Sequence, residues 1–150
     1  MRWTTGTMLV ERLVAHQPGL NPLHKDPLMI GYATLGTNDL DRAAAFYDPV
    51  LALLGAQRLW AFERGIGWGT EPDQPSLGIL KPFDGQPASV GNGTMVALLA
   101  PSAEVVEQVH KLALVMGGQN EGDVGPRGEG FYGGYFRDPD GNKLCVYCRT

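Results

Sequence analysis

Histidine and cysteine are scarce in this chain, with three and two in 150 residues. The histidines, His16, His24 and His110, are far apart, and no ligand set of zinc-site spacing can be read from them. Both cysteines fall in one run, Cys145-Val146-Tyr147-Cys148. If that run is a strand, residues three apart point to opposite faces, which excludes a bridge between them. A redox pair would sit at a helix start instead. Cationic excess is also missing: 12 Lys and Arg against 16 Asp and Glu leave a net charge of −4. That balance argues against nucleic acid and against acidic membrane surfaces as partners. No apolar run approaches the roughly 20 residues that span a bilayer. The first residues, Met1-Arg2-Trp3-Thr4-Thr5-Gly6, lack the apolar core of a signal peptide. With two unbridged thiols, the expected location is cytoplasmic.

What is present is an ordinary globular composition, 43% hydrophobic and 19% charged, at the length of one domain. Residues 1–27 read as an extension, with a short helix possible over Met8–Val14 before Pro18, Pro22 and Pro27. Residues 28–150 read as the domain. A strand over Leu28–Gly36 leads to a helix over 39–54, capped by Asn38 and ended by Gly55. Pro49 predicts a kink or break inside it. Strands follow near Arg58–Glu63, Ile66–Thr70 and Leu77–Lys81. Phe83–Gly93 is a Gly/Pro connector, Thr94–Leu99 a strand, and Ser102 caps a helix over 102–116. Val105, Val109, Leu112 and Met116 are its expected buried face. Gln119–Gly133 reads as a glycine-rich loop, suited to a lid. The chain closes with a hairpin around Asp138-Pro139-Asp140-Gly141, whose second strand sends Leu144, Val146 and Cys148 to one face and Cys145 and Tyr147 to the other.

The order repeats. A constant offset carries Tyr32 onto Met95, Leu35 onto Leu98, Leu51 onto Leu114 and Gly55 onto Gly118. A slightly larger one carries Glu71-Pro72-Asp73-Gln74 onto Asp138-Pro139-Asp140-Gly141, and Leu77-Gly78-Ile79 onto Leu144-Cys145-Val146. Each half, about 28–82 and 93–148, is therefore strand, helix, then three strands. The expected fold is α+β: paired βαβββ units forming one curved mixed sheet, with helices on the outer face and a cleft within.

Several stretches carry a family likeness: Gly31-Tyr32-Ala33-Thr34-Leu35-Gly36, Asn38-Asp39-Leu40-Asp41-Arg42, Phe46-Tyr47, Gly91-Asn92-Gly93-Thr94 and Asp138-Pro139-Asp140-Gly141-Asn142. On these residues the chain resembles the vicinal oxygen chelate superfamily, which includes glyoxalase I, bleomycin-binding proteins and extradiol dioxygenases. The resemblance implies a divalent metal held by His on the first strand of each half and Glu on the last. Those slots fall on Tyr32, Gly78, Met95 and Cys145, none of which keeps the ligand type. The expectation is thus a protein with no metal or other cofactor that binds a small apolar or aromatic molecule. Tyr32, Met95 and Cys145 would form the floor of its cleft, and Trp60, Phe62, Trp68, Phe131 and Tyr135 its walls. The alternatives are a lyase or dioxygenase with an atypical site, Tyr32 and Cys145 serving as acid–base groups, and a non-catalytic interaction protein. The resemblance also implies a homodimer whose sheets complete the cleft. Gly128-Glu129-Gly130-Phe131-Tyr132-Gly133 satisfies GxGxxG, but it reads as preceded by a long loop and followed by a strand, where a dinucleotide fingerprint needs a strand before it and a helix after. His110, mid-helix, reads as structural.

Overall fold

The structure is a computed structural model and describes residues 29–150; the extension and its short helix lie outside them. The first half consists of β1 (Tyr32–Gly36), α1 (Leu40–Ala52), β2 (Gln57–Phe62), β3 (Gly65–Gly69) and β4 (Ser76–Leu80). The second half repeats the order with β5 (Val96–Leu99), α2 (Ala103–Val115), β6 (Gln119–Pro126), β7 (Phe131–Arg137) and β8 (Lys143–Arg149). Both halves are βαβββ units. In each, the first strand pairs parallel with the last, and the middle strands follow antiparallel, giving the orders β1-β4-β3-β2 and β5-β8-β7-β6. Register confirms the repeat residue by residue: Thr34 lies opposite Gly78, and Ala97 lies opposite Cys145.

The strands form two four-stranded sheets, where the sequence suggested one continuous sheet. Continuity would require an edge strand of one sheet to pair with an edge strand of the other, and among the described residues no such ladder forms. The halves are joined by other means. Each helix covers one face of its own sheet, the two helices touch, and all four layers share one core. Phe46 of α1 meets Phe136 of β7 with ring centroids 6.3 Å apart.

The second junction is polar. The hairpin between β7 and β8 folds back onto the start of α1. Asp138 is buried and accepts four hydrogen bonds: from Tyr47 Oη at 2.6 Å, Asp140 N at 2.9 Å, Asn142 N at 2.8 Å and Asn142 Nδ2 at 2.8 Å. Asn142 Nδ2 also donates to Gly36 O, closing the link to β1. Asp140 takes Thr37 Oγ1 at 2.6 Å, Asn38 N at 3.1 Å and Arg42 Nη2 at 2.7 Å. Gly141 supplies the turn with a φ of 91°.

Local differences from the sequence reading have simple causes. Asp39 caps α1, its side chain accepting from Arg42 N. Asn38 is instead engaged by Ala88, donating to its carbonyl and accepting its N–H. Pro49 lies inside α1 without ending it; it removes one donor, and the buried Phe46, Tyr47, Val50 and Leu51 on both sides hold the helix together. The buried stripe of α2 is Val106, Val109, His110 and Ala113, one residue round from the expected face. Gln119–Pro126 is an edge strand rather than part of a lid, and only Arg127–Gly130 forms the turn. Its exposed, polar, glycine-interrupted sequence has no alternation to announce a strand.

Asp138→Ala strips four donors of their acceptor in a buried site, so it is expected to cost about 3 kcal/mol or more in denaturant unfolding. Arg42→Ala, half exposed at its ion pair, should cost less than about 1 kcal/mol. Burial, then the neighbouring Asp138, holds the Tyr47 phenol well above its ordinary value of 10.0. The folded state therefore keeps a proton that the unfolded chain releases, so this contribution is complete below pH 10 and is lost as pH rises toward the folded value. Tyr47→Phe should flatten the alkaline limb of a thermal-stability profile. An unchanged limb would show that the phenol does not couple the hairpin to α1.

Candidate functional site

Each sheet has one face against the core and one without a helix, and strand alternation decides which residues go where. In the second sheet Leu144, Val146 and Cys148 face the core, as expected, while Cys145 and Tyr147 face away. Register brings Tyr135 beside Cys145, Gly133 beside Tyr147 and Phe131 beside Arg149 on β7. The result is a hollow of about 510 Å³ lined by Met95, Ala97, Glu129, Gly130, Phe131, Tyr135, Cys145, Tyr147 and Arg149. Phe131 and Tyr147 stack face to face, centroids 4.7 Å apart and planes 10° from parallel. Gly133 lets that stack form, since a Cβ there would come within 3.0 Å of the Phe131 ring. The Arg127 guanidinium and the Lys143 ammonium each lie 5.6 Å from the centroid of Tyr135.

Cys145 is buried and free, and Cys148, also free and buried, lies on the opposite face. Burial raises the Cys145 thiol above its ordinary value; Arg127, Lys143 and a hydrogen bond from Tyr135 pull the other way. Burial wins. Of the two cations beside it, Lys143 follows from the same strand alternation that places Cys145, whereas Arg127 arrives through the β6–β7 turn and has no signal in the sequence.

The first sheet presents a different outer surface. Along β3, Ile66 and Trp68 face the core, so Gly65, Gly67 and Gly69 face outward. A bulge between Arg58 and Trp60 then lets the Trp60 indole lie across this glycine face. A Cβ on Gly67 would sit 2.0 Å from Trp60 Cε2, and one on Gly78 would sit 2.9 Å from Trp60 Cη2. Trp60 stacks on Phe62 at 5.5 Å. Tyr32, on the edge strand β1, is 69% exposed.

Met95, Cys145, Phe131 and Tyr135 are thus brought together by the structure. Tyr32 and Trp60 lie on the other sheet and do not line the same hollow. Trp68 is a core residue: its indole N–H donates to Asp48 on α1 at 2.9 Å and its ring packs on Tyr47. Arg58 completes that cluster with two bonds to Asp48, and they hold the Asp48 carboxyl below its ordinary value. His110 is structural, its Nε2 donating to Tyr135 O at 3.1 Å, its ring lying over Gly134.

At the four slots the donor chemistry does not fit a hard divalent ion. Tyr32 offers a phenol, Met95 a thioether and Cys145 a protonated thiol; Gly78 offers nothing, its outer side being covered by Trp60. Among the described residues, no group of three or more His, Cys, Asp or Glu is placed to hold a metal.

Residues 29–146 match the family model described as the Glyoxalase/Bleomycin resistance protein/Dioxygenase superfamily. A glyoxalase/bleomycin resistance protein from Albidiferax ferrireducens T118 is 35% identical, with a TM-score of 0.76, over 82% of this chain and 100% of that one. A lactoylglutathione lyase from Agrobacterium tumefaciens is 21% identical at a TM-score of 0.60, over 82% and 95% of the two chains. A glyoxalase-related enzyme from Fulvimarina pelagi is 20% identical at 0.64, over 82% and 89%. The last two show a shared fold. No curated protein matches the chain.

Two outcomes test this geometry. Gly67→Ala should cost about 1–3 kcal/mol through overpacking against Trp60, and much of that cost should vanish in a Trp60→Ala background. Equal costs in both backgrounds would mean that the indole does not lie on Gly67. Neither thiol should react with a disulfide reagent at neutral pH in the native protein, and both should react once it is denatured.

Proposed function

The chain belongs to the Glyoxalase/Bleomycin resistance protein/Dioxygenase superfamily, and from that premise we propose that it binds a small apolar or aromatic molecule without the help of a tightly held divalent metal. The observation that carries this reading is the hollow on the second sheet. Its volume of about 510 Å³ lies within the range of roughly 300–1,000 Å³ common to small-molecule sites. Met95, Phe131, Tyr135 and Tyr147 give it aromatic and thioether walls around the Cys145 thiol. Two slots that the family fills with ligands, Met95 and Cys145, are among these walls. A third, Gly78, is taken by an indole. Dehydrating a divalent ion requires anionic or imidazole donors in return, and these positions supply none.

The site is proposed to be completed by a second copy. Tyr32, Phe62, Met95 and Leu99 are 69%, 51%, 44% and 61% exposed, and all four lie on the helix-free side of a sheet or at its margin. Aromatic and aliphatic side chains of that size are an apolar area that a partner would cover. Laying the Trp60 face of one chain over the hollow of another would bring Tyr32 and Trp60 to the ligand, as the single chain does not. Unbridged Cys145 and Cys148 suit a reducing, cytoplasmic setting. No helix among the described residues is long and apolar enough to cross a membrane.

Purified protein, dialysed and analysed for metals, is expected to carry no near-stoichiometric zinc, nickel, manganese or iron; any of these surviving dialysis would overturn the metal claim. Light scattering at tens of micromolar should give twice the chain mass, and a monomeric mass would remove the completed cleft.

A further inference from the structure

We infer that the hollow selects an anion on a planar apolar body, a small aromatic or conjugated carboxylate, with Arg127 and Lys143 holding its charge. This rests on the small-molecule reading above and narrows it.

The inference comes from how the cations are partnered. The chain carries more carboxylates than cations, and three of the six described arginines have an acidic partner. Arg42 takes Asp140 at 2.7 Å, Arg58 takes Asp48 at 2.6 Å and Arg137 takes Glu121 at 2.7 Å. Arg127 differs. Among the described residues its guanidinium donates only to backbone carbonyls, those of Asp123 and Pro126. Those bonds fix its direction and leave its charge uncompensated. Lys143 is similar, since its nearest carboxylate is Glu121 at 4.0 Å, already bonded to Arg137 at 2.7 Å.

Both cations stand at the Tyr135 ring, which lines the hollow next to Cys145. Lys143 also lines a second hollow of about 500 Å³, formed with Arg137 and the Gly91-Asn92-Gly93-Thr94 turn, and Met95 borders both. An apolar compartment therefore adjoins a cationic one across a single methionine. Glu129 and Arg149 line the first hollow with opposite signs, so neither reverses the field. Both Arg127 and Lys143 also act to lower the Cys145 thiol, which places their positive field at the floor of the hollow. A planar body fits beside Phe131, Tyr147 and Tyr135. A carboxylate at the Tyr135 edge of the hollow would meet the half-buried Lys143 and the exposed Arg127, and charge-assisted bonds to both would hold it there.

The test uses the full chain with 2-naphthoate and its neutral isostere 2-naphthamide, each titrated by calorimetry. Naphthoate should bind at least about ten-fold more tightly, the gain expected of one charge-assisted contact. Its affinity should fall as salt is raised toward about 1 M, while that of the amide holds. Arg127→Gln and Lys143→Gln should each remove most of the naphthoate preference, bringing its affinity toward that of the amide; Lys111→Gln, on α2, should change neither affinity. Equal binding of acid and amide would overturn this inference and leave the small-molecule reading standing. Binding of neither would overturn both.

Discussion

The carboxyl group of Asp138 is the point on which the two halves of this chain depend. It is buried, it belongs to the last hairpin, and its donors come from the hairpin itself and from Tyr47 on the first helix. A buried acceptor with four good donors stabilises; the same group with one donor missing leaves polar atoms stranded at a cost of about 1–3 kcal/mol each. The arrangement is therefore cooperative. Asn142 reaches both Asp138 and Gly36 O, so β1, α1 and the β7–β8 hairpin are positioned as one unit. No strand ladder joins the sheets, and the relative placement of the halves falls to this polar clamp and to the core around Phe46 and Phe136. The clamp also fixes where β8 runs, and with it the direction in which Cys145 and Lys143 point.

Glycine accounts for the contrast between the sheets. On β3 the outward positions are Gly65, Gly67 and Gly69, and their missing side chains are replaced by Leu80, Trp60 and Leu59 from neighbouring strands. The glycine face is thus filled from within its own sheet. On the second sheet the corresponding strand, β7, has Gly133 outward but Phe131 and Tyr135 on either side of it. Those rings stand up from the sheet and leave space between them. One repeat thus yields a filled glycine face and the other a hollow, from the same element order.

Much of this was legible in the sequence because it depends on period and spacing. The offset carrying Leu77-Gly78-Ile79 onto Leu144-Cys145-Val146 reappears as equal strand registers, and alternation along β8 alone places Cys145 and Cys148 on opposite faces. The failures lie where tertiary contact overrides local signal. Trp68 looked like a wall residue since nothing local distinguishes the two faces of Gly65-Ile66-Gly67-Trp68-Gly69; Asp48, twenty positions earlier, decides it by accepting the indole N–H. Residues 119–126 looked like a loop because an exposed edge strand needs no apolar face. Asn38 looked like the cap of α1, but Ala88 competes for its side chain and Asp39 takes over. The four slots were named from the resemblance. The indole over Gly78 is a structural fact that the name of the residue could not convey.

The electrostatics of the hollow follow from the same substitutions. A divalent ion in a cleft concentrates two charges at one point and lets any oxygen-bearing ligand come to it. Tyr32, Gly78, Met95 and Cys145 supply no comparable centre, and an apolar hollow without charge would discriminate weakly between molecules of similar size. Arg127 and Lys143 carry positive charge at the Tyr135 ring, away from the four slots. A guanidinium and an ammonium attract an anion but do not activate a bound water as a metal ion does. They also act only over the width of the hollow, because salt screens them within roughly 8–10 Å. On the proposed reading, fixed side chains in place of a coordinated ion would suit the hollow to recognising a ligand rather than activating one.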